Sequence, residues 1–186
     1  DDAVATKTVT IRQSSVKVVW NDTQDSYVYG DKLPTALISG LTEGVDYTVT
    51  YNGSTTYPSQ INAGSYTIKV VLPENSPYSF ADDAVTEITV VVETKKVTLI
   101  WNLNDEYEFG EELGTPVIEG LDSSKYTVTG LPASGTADTA DGYTVTVTIT
   151  DSNYAFADGS VTAEKTITVN AKKVEISWNT TYSYSY

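Results

Sequence analysis

Twenty-five of the 186 residues are carboxylates, against eleven lysines and arginines, and the chain has neither histidine nor cysteine. Those types decide most of the available chemistry. A Ser-His-Asp or Cys-His nucleophile cannot be assembled, and disulfides and thiolate metal sites are excluded. Two carboxylates could in principle cleave a glycosidic bond. No motif sets such a pair apart, so the chain is expected not to be an enzyme and to need no cofactor. For a hard cation such as Ca2+, oxygen ligands could come from Asn104-Asp105-Glu106 with Glu108, Glu111 and Glu112, or from Asp82-Asp83. The Asp-x-Asp-x-Asp-Gly loop that would order them is missing, and acidic loops on an acidic chain are mostly solvated surface. A Lys–Asn isopeptide crosslink needs a recurring lysine, and Lys69 has none opposite it, while Asn170 falls against Glu93. Carbohydrate binding remains. Tyrosine offers a ring for stacking and a polar handle, and Tyr51, Asn52 and Tyr57 form the candidate ligand-binding set. The same tyrosines could instead fill half-buried sheet faces, as could Tyr182 and Tyr184 near the end of the chain.

The formal net charge of −14 leaves nothing to neutralise phosphates, so nucleic acid is excluded as a partner. It equally disfavours an anionic membrane surface. No apolar run approaches the ~20 residues that span a bilayer, and no signal peptide is evident. The charge suits a self-repelling extracellular chain, and lack of cysteine is compatible with a bacterial surface array.

The elements that must position these residues are repeated. Trp20, Trp101 and Trp178, the only tryptophans, end the runs Val16-Lys17-Val18-Val19-Trp20, Val97-Thr98-Leu99-Ile100-Trp101 and Val174-Glu175-Ile176-Ser177-Trp178, 81 and 77 residues apart. A tryptophan strand returning at that interval marks tandem small domains. The period of two puts Val16/Val97/Val174, Val18/Leu99/Ile176 and the indoles on one buried face. That is a packing pattern, and it favours core over ligand for the indoles.

Period-two runs at Val9/Ile11, Val90/Val92 and Ile167/Val169 close each repeat, and four polar residues separate each from the next tryptophan strand (12–15, 93–96, 170–173). With no glycine or proline there, a short, semi-rigid joint is expected. The expected division is 1–13, the closing strand of a preceding repeat; 14–93 and 94–171, two repeats; and 172–186, the first strand of a truncated third. The flanking strands are expected to be ordered and docked.

Within each repeat, Tyr27-Val28-Tyr29-Gly30 pairs with Tyr107-Glu108-Phe109-Gly110, Ile38-Ser39-Gly40-Leu41 with Ile118-Glu119-Gly120-Leu121, and Tyr47-Thr48-Val49 with Tyr126-Thr127-Val128. Gly64-Ser65-Tyr66-Thr67 pairs with Gly142-Tyr143-Thr144, and Tyr78-Ser79-Phe80 with Tyr154-Ala155-Phe156. Six or seven short β runs separated by turns predict a mainly β protein. It would be β-sandwich-like, or β-grasp-like α+β with at most one short helix per repeat, at 31–38 and 111–118. Asn52-Gly53 is the strongest short signal for a tight hairpin.

Laid out in this order, the motifs resemble the MBG-type repeats of bacterial surface proteins, named for mucin binding and subclassed by a Tyr-Gly motif. Tyr29-Gly30-Asp31 with Pro34, Gly40-Leu41 and Gly64-Ser65-Tyr66-Thr67 carry the resemblance, as do Phe109-Gly110-Glu111, Gly120-Leu121 and Gly142-Tyr143-Thr144. The second repeat departs from it at Phe109 and at Gly114, which stands where Pro34 does. The resemblance implies a tandem module on a bacterial cell surface, either a structural spacer in an adhesin or a domain that meets host mucin or glycans through weak, multivalent contacts. It carries over no ligand-binding residues.

Overall fold

Alternation along Gly64–Val71 shows how these residues make a sheet. Ile68 and Val70 are fully buried, while Lys69 between them is exposed, because successive side chains on a strand point to opposite faces. The structure, a computed structural model, describes residues 6–133, 140–178 and 185. It divides into two compact units at Lys95/Lys96.

In the first unit the strands are β1 (Ser14–Val16), β2 (Val18–Asn21), β3 (Tyr27–Val28), β4 (Thr35–Ile38), β5 (Thr48–Tyr51), β6 (Gly64–Val71), β7 (Tyr78–Phe80) and β8 (Glu87–Glu93). The main sheet has the order β3-β8-β6-β5. The closing strand β8 lies parallel to β3 and antiparallel to β6. Two smaller pairs, β1 parallel to β7 and β2 antiparallel to β4, accompany it. The core is one cluster, with Tyr27, Leu33, Ile38, Tyr47, Val49, Ile68, Val70, Val90 and Val92 among its buried members and Val16, Val18 and Trp20 packed against it. The inward positions of the tryptophan strand thus face the core, and exposed Lys17 and Val19 alternate with them.

The second unit repeats this plan. Its strands are β9 (Lys95–Val97), β10 (Leu99–Ile100), β11 (Glu106–Glu108), β12 (Val117–Ile118), β13 (Tyr126–Thr129), β14 (Ala140–Ile149), β15 (Tyr154–Phe156) and β16 (Thr162–Asn170). The sheet orders are β11-β16-β14-β13, β9-β15 and β10-β12, the counterparts strand for strand of the first unit. Trp101 and Val128 touch both of its apolar clusters, one around Val145, Ile167 and Val169, the other around Ile118, Val147 and Ile149.

The fold is mainly β, and the segments expected to be helical are not. Residues 31–34 and 111–116 have no regular structure, and the chain then enters β4 and β12. The ladder to the tryptophan strand (Val18↔Ile38, Val19↔Leu37) holds 35–38 extended. Both Pro34 and Pro116 are fully buried, and Pro116, the sixth residue of 111–118, would withhold an N–H that a helix there needs. The only helical turn among the described residues is a 3₁₀ turn at Ser123–Lys125, capped by Asp122.

The four-residue joint is a second correction. At 93–96 strands take three of the four residues, and only Thr94 separates β8 from β9. A third concerns the flanks. Residues 6–13 and 171–178 form no strand, and Ile11, Val174, Ile176 and Trp178 are more than 70% exposed. Segments with the same pattern elsewhere in the chain are held by β3 and β6, or by β7 and β4, and among the described residues these flanks have no such neighbours. Residues 179–184 and 186, which include Tyr182 and Tyr184, lie outside the described residues.

Candidate functional site

The Tyr-Gly motif is a turn. In the first unit Asp31 N donates to Val28 O at 2.9 Å across Tyr29-Gly30, with Gly30 at φ 102°, and Asp31 Oδ2 accepts from Val28 N at 2.8 Å. In the second unit Glu111 N donates to Glu108 O at 3.0 Å, Gly110 is at φ 91°, and Glu111 Oε2 accepts from Glu108 N at 2.8 Å. Glycine is needed because its position has positive φ, and the acid closes the turn on its own backbone. Two residues upstream, the buried Tyr27 and Tyr107 accept from Gln24 N and Asn104 N at 2.9 Å. These motif residues are committed to local geometry.

The candidate ligand set is brought together by the long connection between β5 and β6. Asn52 (φ 49°) and Gly53 (φ 84°) make the tight turn, with Tyr51 N to Ser54 O at 2.7 Å and Ser54 N to Tyr51 O at 3.0 Å. Positive φ at both central positions is the type I′ arrangement. The turn does not deliver the chain into β6, however, for a flap spanning 54–63 comes first. Asn52 spans the gap. Its Oδ1 accepts from Thr67 N at 2.8 Å, and its Nδ2 donates to Ser65 O at 3.3 Å.

Three tyrosines sew that flap to the body. Tyr57 stands edge-on to the buried Tyr51, ring centroids 5.0 Å apart and planes at 74°. Its hydroxyl accepts from Leu33 N at 2.8 Å and donates to Leu33 O at 3.4 Å. Tyr29 Oη accepts from Gln60 Nε2 at 3.4 Å. Tyr66 Oη accepts from Asn62 N at 2.9 Å and donates to Asn62 O at 3.1 Å. Burial, then the neighbouring Glu43 carboxylate and Tyr57, push the Tyr51 phenol up to about 12. Between flap and Tyr-Gly turn runs a groove of about 360 Å3 lined by Tyr29, Lys32, Tyr57, Pro58, Gln60 and Ile61, among others. Sequence reasoning named Tyr51, Asn52 and Tyr57 but missed Gln60, and it read Tyr66 only as a motif residue, because contacts with a loop have no periodicity to read.

In the second unit this corner differs. Phe109 carries no hydroxyl, and it is 45% exposed. Gly114 replaces Pro34 for a physical reason: a Cβ at Gly114 would lie 1.8 Å from the Asn102 carbonyl oxygen. Its approach accompanies the one-residue-shorter connection from Trp101 to Tyr107, which moves the left-handed residue from Asp22 (φ 57°) to Asn102 (φ 52°).

Trp20 and Trp101 pack against their cores, and Trp20 Nε1 donates to Val85 O at 2.9 Å. The calcium candidates do not converge: among the described residues no three carboxylates gather as a cation site. Asp105 instead pairs with Lys165 at 2.8 Å, Asp83 with Lys17, and Glu111 with its own turn. Lys17 lowers the Asp83 pKa, chiefly by its hydrogen bond. Among the described residues no helix is long and apolar enough to cross a membrane. No family model matches the chain, and no curated protein does.

Proposed function

We propose that this chain is a non-catalytic tandem-repeat segment of a bacterial surface protein, serving as a stalk or spacer in an adhesin outside the cell. The observation that carries the reading is where the conspicuous side chains are spent. In the first unit, Tyr51, Asn52 and Tyr57 satisfy backbone groups or pack rings internally, and Tyr27, Tyr107 and the turn acids do likewise. Aromatics so engaged stabilise a small domain whose core alone is modest. The MBG-like order of motifs supports the surface setting. Neighbouring repeats of the same chain are the expected partners.

One observation favours a second reading, a carbohydrate- or mucin-binding module. The groove beside Tyr29 and Tyr57 combines aromatic walls with the Gln60 amide and Lys32, a mixture suited to a sugar. Displaying the chain multivalently against purified mucins and a glycan array separates the two. The spacer reading expects no specific binding. Binding that is lost on Tyr29→Ala or Tyr57→Ala, with the far-UV spectrum unchanged, would replace it with the adhesive one. Tyr51→Ala removes a buried ring and is read beside its own spectrum.

A further inference from the structure

The tight turn holds a reaction that the spacer or adhesive readings do not use. Asn52-Gly53 is the one Asn-Gly dipeptide in the chain. Asn-Gly is the pairing most open to intramolecular attack, because glycine places no side chain beside the attacking nitrogen. Two features of the structure bear on that attack, and they oppose one another. Asn52 is exposed, and turn and ladder engage the N–H groups of Tyr51, Asn52 and Ser54 while leaving that of Gly53 out. The nucleophile is therefore not held back by a hydrogen bond. The electrophile is. Asn52 Oδ1 and Nδ2 are clamped to Thr67 N and Ser65 O on β6, so the side-chain carbonyl carbon is tied toward the sheet rather than free to swing onto Gly53 N.

We infer that Asn52 is a conformation-gated deamidation site: the clamp to β6 keeps it intact, and separation of the turn from β6 commits it to irreversible conversion. Gly53 N loses its proton and attacks Asn52 Cγ. The bond from Cγ to Nδ2 breaks, and the nitrogen leaves as ammonia, having gained that proton. The resulting succinimide is opened by one water, giving aspartate or isoaspartate at position 52. Net, the asparagine and one water become the acid and ammonia, and nothing is oxidised or reduced. Aspartate cannot donate to Ser65 O, and it brings a further negative charge to a chain already at −14. Isoaspartate also routes the main chain through Cβ, lengthening a turn whose two positive-φ residues leave no slack. Either product loosens the hold of the turn on β6, so conversion favours further opening.

The test compares the folded chain with the same chain in denaturing urea, at equal mildly alkaline pH and temperature. Peptide mapping by mass spectrometry follows the amide-to-acid conversion at position 52. Two side-chain hydrogen bonds that must break together should slow the folded chain by about tenfold or more. Equal rates in the two states would overturn the gating. In a second arm, Asn52→Asp is measured by hydrogen exchange. The expected result is faster exchange at 51–54 and 65–67 with the β8 amides unchanged. Exchange identical to the parent would overturn the claim that the product loosens the turn from β6.

Discussion

Replacing Tyr57 by phenylalanine asks whether that residue belongs to the scaffold or to a ligand. The ring remains and keeps its edge-on contact with Tyr51, 5.0 Å between centroids, so packing area changes little. What goes is the hydroxyl bonded to both Leu33 N and Leu33 O. Leu33 is only 1% exposed, so its N–H is left without a partner and away from water. Leaving a buried donor unsatisfied costs about 1–3 kcal/mol. With a urea slope of about 1–2 kcal/mol per molar for a small domain, the midpoint of the first unit should fall by roughly 1 M. Because two units need not melt together, the assay is hydrogen exchange in urea, read on peptides from 33–38 and 48–71 against peptides from 143–170. The loss should be confined to the first unit. A Tyr57→Phe chain as stable as the parent would refute the reasoning. It would mean that Leu33 finds water instead, and that the Tyr57 hydroxyl is available to a ligand.

Gly114→Ala should disable the second unit, because its Cβ, whose position the backbone fixes, would lie 1.8 Å from the main-chain oxygen of Asn102. A loss of at least about 4 kcal/mol is expected, against about 1–3 kcal/mol at Gly30, where space is open but φ is 102°. Limited proteolysis of the two variants would show the contrast. The Tyr51 phenol, raised from 10.0 to about 12, binds its proton more tightly when folded. Its stabilisation is therefore present below pH 10 and lost as pH rises toward 12. Alkaline melts of the parent and of Tyr51→Phe should diverge over that interval, and parallel curves would count against it.

Much of the fold was legible before any coordinates, because period-two alternation and returning motifs are local. The runs ending in Trp20 and Trp101 are strands with valine or leucine inward, and paired segments such as Tyr78–Phe80 and Tyr154–Phe156 are strands too. Glycine after Tyr29 and Phe109 marked a turn that needs positive φ. The segments after those turns were misread because Pro34 and Pro116 limit a helix but do not reveal the strand that would hold 35–38 extended. The joint was misread for a similar reason: polar residues such as Lys95 and Lys96 belong equally to a linker and to the wet face of a strand.

The repeat interval, the mainly β class and the absence of histidine or cysteine chemistry were decided by the sequence alone, since each follows from residue type and spacing. Whether Tyr57 is a platform or a strut was not. Its bond to Leu33 joins residues 24 positions apart, and Asn52 reaches Thr67 across a flap. The parallel placement of β8 beside β3, with Tyr27 opposite Val92, likewise joins the two ends of a repeat. Such contacts form only when distant segments meet, and alternation along one strand says nothing about which strand lies beside it.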